Sequence, residues 1–128
     1  MKVTEILKQD KPTISFEVFP PKKDTDFADV EAAATSIAEL NPSYMSVTYG
    51  AGGSTKGHTI ALASEIQRKH NVPTVAHLTC VCAEQGSIRA ALDEMKTAGI
   101  ENILALRGDI PKDFDGEVFT DFTHASDL

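Results

Sequence analysis

The amino-acid sequence predicts an α/β fold with a parallel sheet, and three observations carry that expectation. Short β-prone apolar runs alternate with stretches of helical period, the unit recurs about every 30 residues, and Asn, Gly or Pro punctuates the helix ends. Consecutive strands separated by helices pair in parallel through right-handed crossovers, so the alternation itself sets the class.

The first strand is expected over Ile14 to Phe19, closed by Pro20-Pro21. A loop from Pro20 to Thr25 leads into a helix that carries Phe27, Val30, Ala33, Ala34, Ile37 and Leu40 at three- and four-residue spacings, stopped by Asn41-Pro42. Tyr44 to Tyr49 reads as the second strand and Gly50 to Gly53 as a glycine-rich turn. Ser54 to His70 follows as a helix buried through Ile60, Ala63 and Ile66, with Asn71 and Pro73 as its stop. Thr74 to Thr79 is the third strand. The helix from about Ser87 to Ala98 buries Ile88, Leu92 and Met95 and has Gly99 at its C-cap position. Asn102 to Leu106 is the fourth strand and runs into Arg107-Gly108-Asp109. Beyond it, Asp113 to Asp121 is an acidic loop, and Thr123 to Leu128 reads as the start of another helix.

The 128 residues are the length of one domain with one core, expected over residues 1–128. A parallel sheet of these units needs both faces covered and its edges managed. The expected architecture is therefore the first half of a (β/α)8 TIM barrel, about its first four β/α units, the usual size of such a barrel being about 250 residues, or a small open sheet completed by another copy or another polypeptide. Hydrophobic residues make up 41% and charged ones 24%, the balance of a soluble globular protein. The formal charge of -7 speaks against nucleic acid or an anionic membrane as partner. No run approaches the roughly 18 apolar residues of a membrane span, and Met1 to Asp10 has no signal-peptide core, so a cytoplasmic protein is expected. Cys80 and Cys82 form a lone C-x-C, neither a disulfide framework nor a zinc signature, and are expected as buried packing residues of a reduced protein.

Strand alternation assigns faces. Phe16 and Val18 oppose Ser15, Glu17 and Phe19; Met45 and Val47 oppose Ser46 and Thr48; Ala76 and Leu78 oppose Val75, His77 and Thr79; Leu104 and Leu106 oppose Ala105, Arg107 and Asp109. On this reading Glu17, Thr48, His77 and Asp109 share one face near the carboxyl ends of the strands, where ligands bind in open sheets and barrels alike. Glu17 is the sharpest case, because a carboxylate in an apolar strand is costly unless it is paired or neutral. The plainer alternatives are a strand-end Glu reaching solvent or Lys22, a core His77 bonded to a backbone carbonyl, and a local turn salt bridge within Arg107-Gly108-Asp109. The Gly50 to Thr55 turn before a helix suits an anion, or is a simple turn capped by Ser54; it matches neither the Walker A nor the dinucleotide spacing.

Four ordered motifs then carry a family resemblance: Phe16-Glu17-Val18-Phe19-Pro20-Pro21-Lys22, Ser46 through Ser54, His77-Leu78-Thr79-Cys80, and Leu106-Arg107-Gly108-Asp109. In order and spacing they resemble methylenetetrahydrofolate reductase, over the first half of that family's catalytic barrel. The resemblance implies a flavoprotein oxidoreductase that passes a hydride from NADH or NADPH through FAD. It implies reduction of 5,10-methylenetetrahydrofolate to 5-methyltetrahydrofolate, the methyl donor for methionine synthesis. It makes Glu17 the general acid that assists opening of the folate's five-membered ring and Asp109 a carboxylate near both flavin and folate, so that both also bind substrate. It places Thr48, Tyr49, Ala51, His77, Arg107, Gly108, Asp109 and Ala125 at flavin-contacting positions.

The residue types suit that chemistry. A general acid at neutral pH needs a raised pKa, and an apolar strand is a way to obtain one. A fixed anion in a dry site stabilises a cationic iminium and disfavours an anionic reduced flavin. The second half of the family's barrel has no counterpart here, and the loop from Ile110 to Asp121 is longer than usual in the family. This leaves an alternative from another class, a half-barrel without turnover that acts as a binding or assembly remnant, self-associating through its open edges. A different barrel enzyme using the Gly50 to Ser54 turn for a phosphorylated substrate is the third reading.

Overall fold

The computed structural model describes residues 1–21, 23–50, 55–112, 114–118 and 121–128. In chain order the elements are α1 (Val3–Ile6), β1 (Ser15–Val18), a 3-10 turn (Asp24–Asp26) and α2 (Phe27–Ala38). They continue through β2 (Tyr44–Val47), α3 (Lys56–His70), β3 (Thr74–Thr79), α4 (Gln85–Thr97), β4 (Asn102–Leu106) and a closing 3-10 turn (Ala125–Asp127). The four strands form one sheet in the order β1-β2-β3-β4, with every neighbouring pair parallel. Sequential order without a reversal carries each right-handed crossover to the same face, as in (β/α) barrels and unlike doubly wound sheets.

That face holds the core. Val18, Met45, Val47, Ala76 and Leu78 pack with Ala34 and Ala38 of α2, Leu62, Ala63 and Ile66 of α3, and Ile88, Ala91 and Met95 of α4. Met45, Leu62, Leu78 and Met95 are fully buried, and each contributes roughly 1.5–3 kcal/mol by leaving water. Helix ends follow the punctuation. Asn71 takes a left-handed φ of 56° and donates its N–H to Gln67 O, closing α3. Gly99, at φ 78°, ends α4 in a Schellman arrangement: its N–H bonds Lys96 O, and the N–H of buried Ile100 bonds Met95 O at 2.9 Å.

Several expectations need correction. Leu40, expected on the buried stripe of α2, lies beyond the helix end and is exposed, because Asn41 at φ 54° turns the chain away. Cys80 is buried, but Cys82 is only half-buried and sits at φ 58° in a turn. Where Thr123 to Leu128 reads as a helix start, the chain makes only the 3-10 turn Ala125–Asp127, with the Asp127 carboxylate accepting both the Thr123 and His124 N–H groups at 2.8 Å. These two bonds hold the Asp127 carboxyl below its usual pKa. The largest correction concerns β4. Its register pairs His77 with Leu104 and Thr79 with Leu106, so the two leucines share the His77 face and Ala105 lies on the helix side. Arg107 and Asp109 follow the strand rather than continuing that face.

The α1 segment was not legible as a helix. Its Val3 and Ile6 are buried at the amino end of the sheet, fixed by Asn102, whose Oδ1 accepts the Val3 N–H at 2.8 Å. The Asn102 amide donates to Met1 O and Thr74 O, both at 3.1 Å. Among the described residues no helix is long and apolar enough to cross a membrane.

Candidate functional site

On the face away from the helices, Ser15, Glu17, Tyr44, Ser46, Val75, His77 and Leu104 fall into register. They line a concavity of about 540 Å³ whose amino end is closed by Val3 and Leu7. Within it, Glu17 Oε2 accepts the Ser46 hydroxyl at 3.1 Å and lies 3.3 Å from His77 Nε2. The pairing register explains the meeting: Glu17 is opposite Ser46, and His77 stands two residues above Val75, the partner of Ser46. Glu17 and His77, expected on one face, meet there directly, and Ser46, a member of the second motif, joins them as a residue not singled out before.

Two features of this cluster differ from expectation. The Glu17 side chain is 47% exposed, because the residues of β1 before Val18 face open space. His77 meets a carboxylate where a backbone carbonyl was the plainer alternative. The imidazole is buried, and that burial pushes its pKa below the ordinary value against the weaker pull of the Glu17 charge. An imidazole N–H this close to a carboxylate oxygen can donate to it, so the two side chains form a hydrogen-bonded pair.

Thr48 and Tyr49 leave β2 at its carboxyl end. The Thr48 N–H bonds Val18 O at 3.1 Å, extending the β1–β2 ladder one step. Tyr49 is half-buried, and burial, then the Glu94 charge, push its phenol pKa up. It lines a second concavity, of about 410 Å³, with Lys56, Thr79, Cys82, Ser87 and Ile88. Thr79 is 6% exposed, and its Oγ1 is buried with no hydrogen-bond partner among the described residues. Ala51 and the turn residues up to Ser54 lie outside the described residues, as does Lys22.

The β3–β4 pairing continues past both strands, with Cys80 N–H to Leu106 O at 3.1 Å and Val81 N–H to Arg107 O at 2.8 Å. This presses Gly108 onto β3. At φ 85°, a Cβ on Gly108 would stand 2.8 Å from Thr79 Cβ and 2.9 Å from Val81 Cγ1, so only glycine fits. Arg107 donates its Nε–H to Gly108 O at 3.3 Å, and both Arg107 and Asp109 are exposed. Ala125 begins the last 3-10 turn, which packs against β4, and the preceding His124 O accepts a contact from Cys80 Sγ at 3.6 Å. A further concavity of about 400 Å³, between Ile6, Ser43 and Pro73, lies at the amino ends of the strands, the end that serves stability rather than ligands.

Fold and site together define a parallel α/β protein with an acid–imidazole pair and several loops gathered at the carboxyl ends of its strands. A family model described as methylenetetrahydrofolate reductase matches residues 2–128, and the chain belongs to that family. It is 41% identical over 118 residues to methylenetetrahydrofolate reductase 2 of Schizosaccharomyces pombe, covering 89% of this chain and 18% of that protein. It is 36% identical over 110 residues to methylenetetrahydrofolate reductase (NADH) 1 of Arabidopsis thaliana, covering 86% of this chain and 19% of that protein. With the 5,10-methylenetetrahydrofolate reductase of Pectobacterium carotovorum it shares 30% identity over 105 residues, or 82% of this chain and 35% of that protein. The chain thus spans between 18% and 35% of the length of these relatives.

Proposed function

We propose that this chain carries the acid end of a flavin-dependent 5,10-methylenetetrahydrofolate reductase, with NADH or NADPH as the hydride source. The names of the Arabidopsis and maize relatives favour NADH. The observation that carries the reading is the shared oxygen of Glu17, within reach of both the Ser46 hydroxyl and His77 Nε2. A carboxyl held by two partners on a ligand-sized face is a positioned proton donor, whereas a remnant kept only for assembly has no need of the pair.

The residues present fit a flavin. The Thr79 hydroxyl, without a partner among the described residues, lines the Tyr49 concavity, Arg107 is exposed past the end of the neighbouring strand β4, and Gly108 holds that strand end close against β3. Thr48, Tyr49, His77, Arg107, Gly108 and Ala125 would hold it, with Ala51 from the turn. When bound, the flavin supplies hydride transfer. The chain's own part is acid–base and electrostatic. Glu17 gives a proton to the nitrogen that departs as the folate ring opens, and the cleaved C–N bond leaves a cationic iminium carbon to accept hydride. His77, held below its ordinary pKa by burial, stands 3.3 Å from that carboxyl and positions it. Asp109 provides a fixed negative charge for the cation.

The same reading extends to architecture. Residues 1–128 form one unit, the first four β/α repeats of a TIM barrel, completed by a C-terminal half or a second copy. The product would feed methionine synthesis in the cytoplasm. The test is uptake of FAD by the purified protein, followed by its visible absorbance. In protein that turns over the folate, Glu17→Gln should keep flavin binding nearly intact and abolish folate reduction. Colourless protein that takes up no FAD sinks the flavin reading, and a Glu17→Gln variant reducing folate at the parent rate sinks the acid assignment.

A further inference from the structure

Thr59 lies in the second turn of α3 and is completely buried, among neighbours such as Ile60, Leu62 and Ala63 that fill the core with apolar side chains. A β-branched residue has no helical advantage there, and a buried hydroxyl must find partners. The usual outlet for a helical Thr is the carbonyl one turn back, and Thr55 O is within 3.0 Å. A shorter contact leads elsewhere: Thr59 Oγ1 lies 2.8 Å from Thr48 O, the carbonyl at the end of β2. Thr55 completes the arrangement. Its Oγ1 accepts the Gly50 N–H at 2.7 Å and stands 3.3 Å from Thr59 Oγ1.

Each hydroxyl has one hydrogen, which fixes the direction of the chain. Thr59 gives its hydrogen to Thr48 O, so its oxygen is open to accept. Thr55, already accepting from Gly50, gives its hydrogen to Thr59. The run is Gly50 N–H to Thr55 hydroxyl, Thr55 to Thr59, Thr59 to Thr48 carbonyl, with every donor used once. It closes a ring around Tyr49, whose preceding carbonyl and following N–H are both tied to α3.

We propose that Thr55 and Thr59 are positioning residues that clasp Thr48, Tyr49 and Gly50 to the first turns of α3 and so preset the loop for the flavin. The proposal rests on the flavin reading above. Neither threonine touches the ligand; each acts through the backbone of the residues that do. Serine at either position keeps the relay, and valine breaks it while preserving shape.

The experiment compares the parent with Thr59→Val, Thr59→Ser, Thr55→Val and a control, Thr74→Val. Thr74 is equally buried, with its hydroxyl 3.3 Å from Gln67 Oε1, but stands at the amino end of β3. FAD affinity is read by fluorescence quenching and amide exchange at Gly50 by NMR. Both valine variants of the clasp should weaken FAD binding about tenfold and speed Gly50 exchange, the scale of one lost buried hydrogen bond. Thr59→Ser should restore both readouts, and Thr74→Val should lower thermal stability while leaving both unchanged. Thr55→Val keeps the test alive should Thr59→Val not fold. A parent that takes up no FAD overturns the functional reading and the link to flavin. A parent that binds FAD while both clasp variants bind it equally, or an unchanged Gly50 exchange, overturns the clasp itself.

Discussion

Gly108 and His77 place opposite demands on the carboxyl end of β3, one steric and one electrostatic. Gly108→Ala would force a side chain into a left-handed φ of 85° and against Thr79 and Val81, the latter fully buried. Backbone strain of about 1–2 kcal/mol and overpacking of about 1–3 kcal/mol predict a loss of roughly 2–5 kcal/mol, measurable as a lower urea midpoint. For His77 the sign follows from burial. Its folded pKa is below the ordinary 6.5, so just below pH 6.5 the unfolded chain binds a proton that the folded chain refuses. Stability from this group is complete above that value and falls as pH drops toward the lowered one. His77→Gln should therefore flatten the stability profile as pH falls below the ordinary histidine value, and a profile as steep as the parent's would assign the titration to other groups. Alternation revealed Glu17 and His77 because each sits inside a well-defined strand. It misplaced Arg107 and Asp109 because the count began on the wrong face of β4, where apolar residues occupy both sides and period two gives no preference.

At the scale of elements, the strands and the three long helices were legible from period and punctuation, while α1 and the contacts of the acidic loop were not. A four-residue helix has too few positions for a period, and its stability comes from Asn102, which is remote in sequence. The loop reads as solvated charge, yet Asp121 has a structural task. Its Oδ2 accepts the Gln85 N–H at 2.7 Å, at the first turn of α4, where the N-cap Glu84 supplies no side-chain bond. A carboxylate there satisfies an otherwise unmade donor and complements the helix dipole. The Cys82 N–H to Val118 O bond, at 3.0 Å, ties the same loop to the β3 end. Asp121→Ala should cost about 1 kcal/mol and Asp121→Asn less, since the amide oxygen still accepts. Thermal unfolding with amide exchange at Gln85 would check this, and an unchanged Gln85 exchange rate in the alanine variant would remove the cap from the account.

The whole molecule is finished on one face and open on the other, and its unpaired edges carry apolar side chains. Beside β1, Ile14 and Phe19 are 64% and 69% exposed; at β4, Ile103, Leu104 and Ile110 are 40%, 44% and 50% exposed. Such edges offer unpaired backbone groups together with apolar area, the combination that recruits another strand. All strands run in one direction, so a second sheet placed about an axis along the strands meets β4 with a β1 and β1 with a β4, both in parallel. The open edges therefore predict concentration-dependent self-association of this chain. The double variant Phe19→Lys and Ile103→Lys puts charge on each edge at exposed positions, where the expected cost to folding is within about 0.5 kcal/mol each. Sedimentation velocity should give a concentration-dependent shift for the parent and a monomer for the variant. A parent that stays monomeric as concentration rises would mean that the four strands manage their own edges and would overturn the prediction.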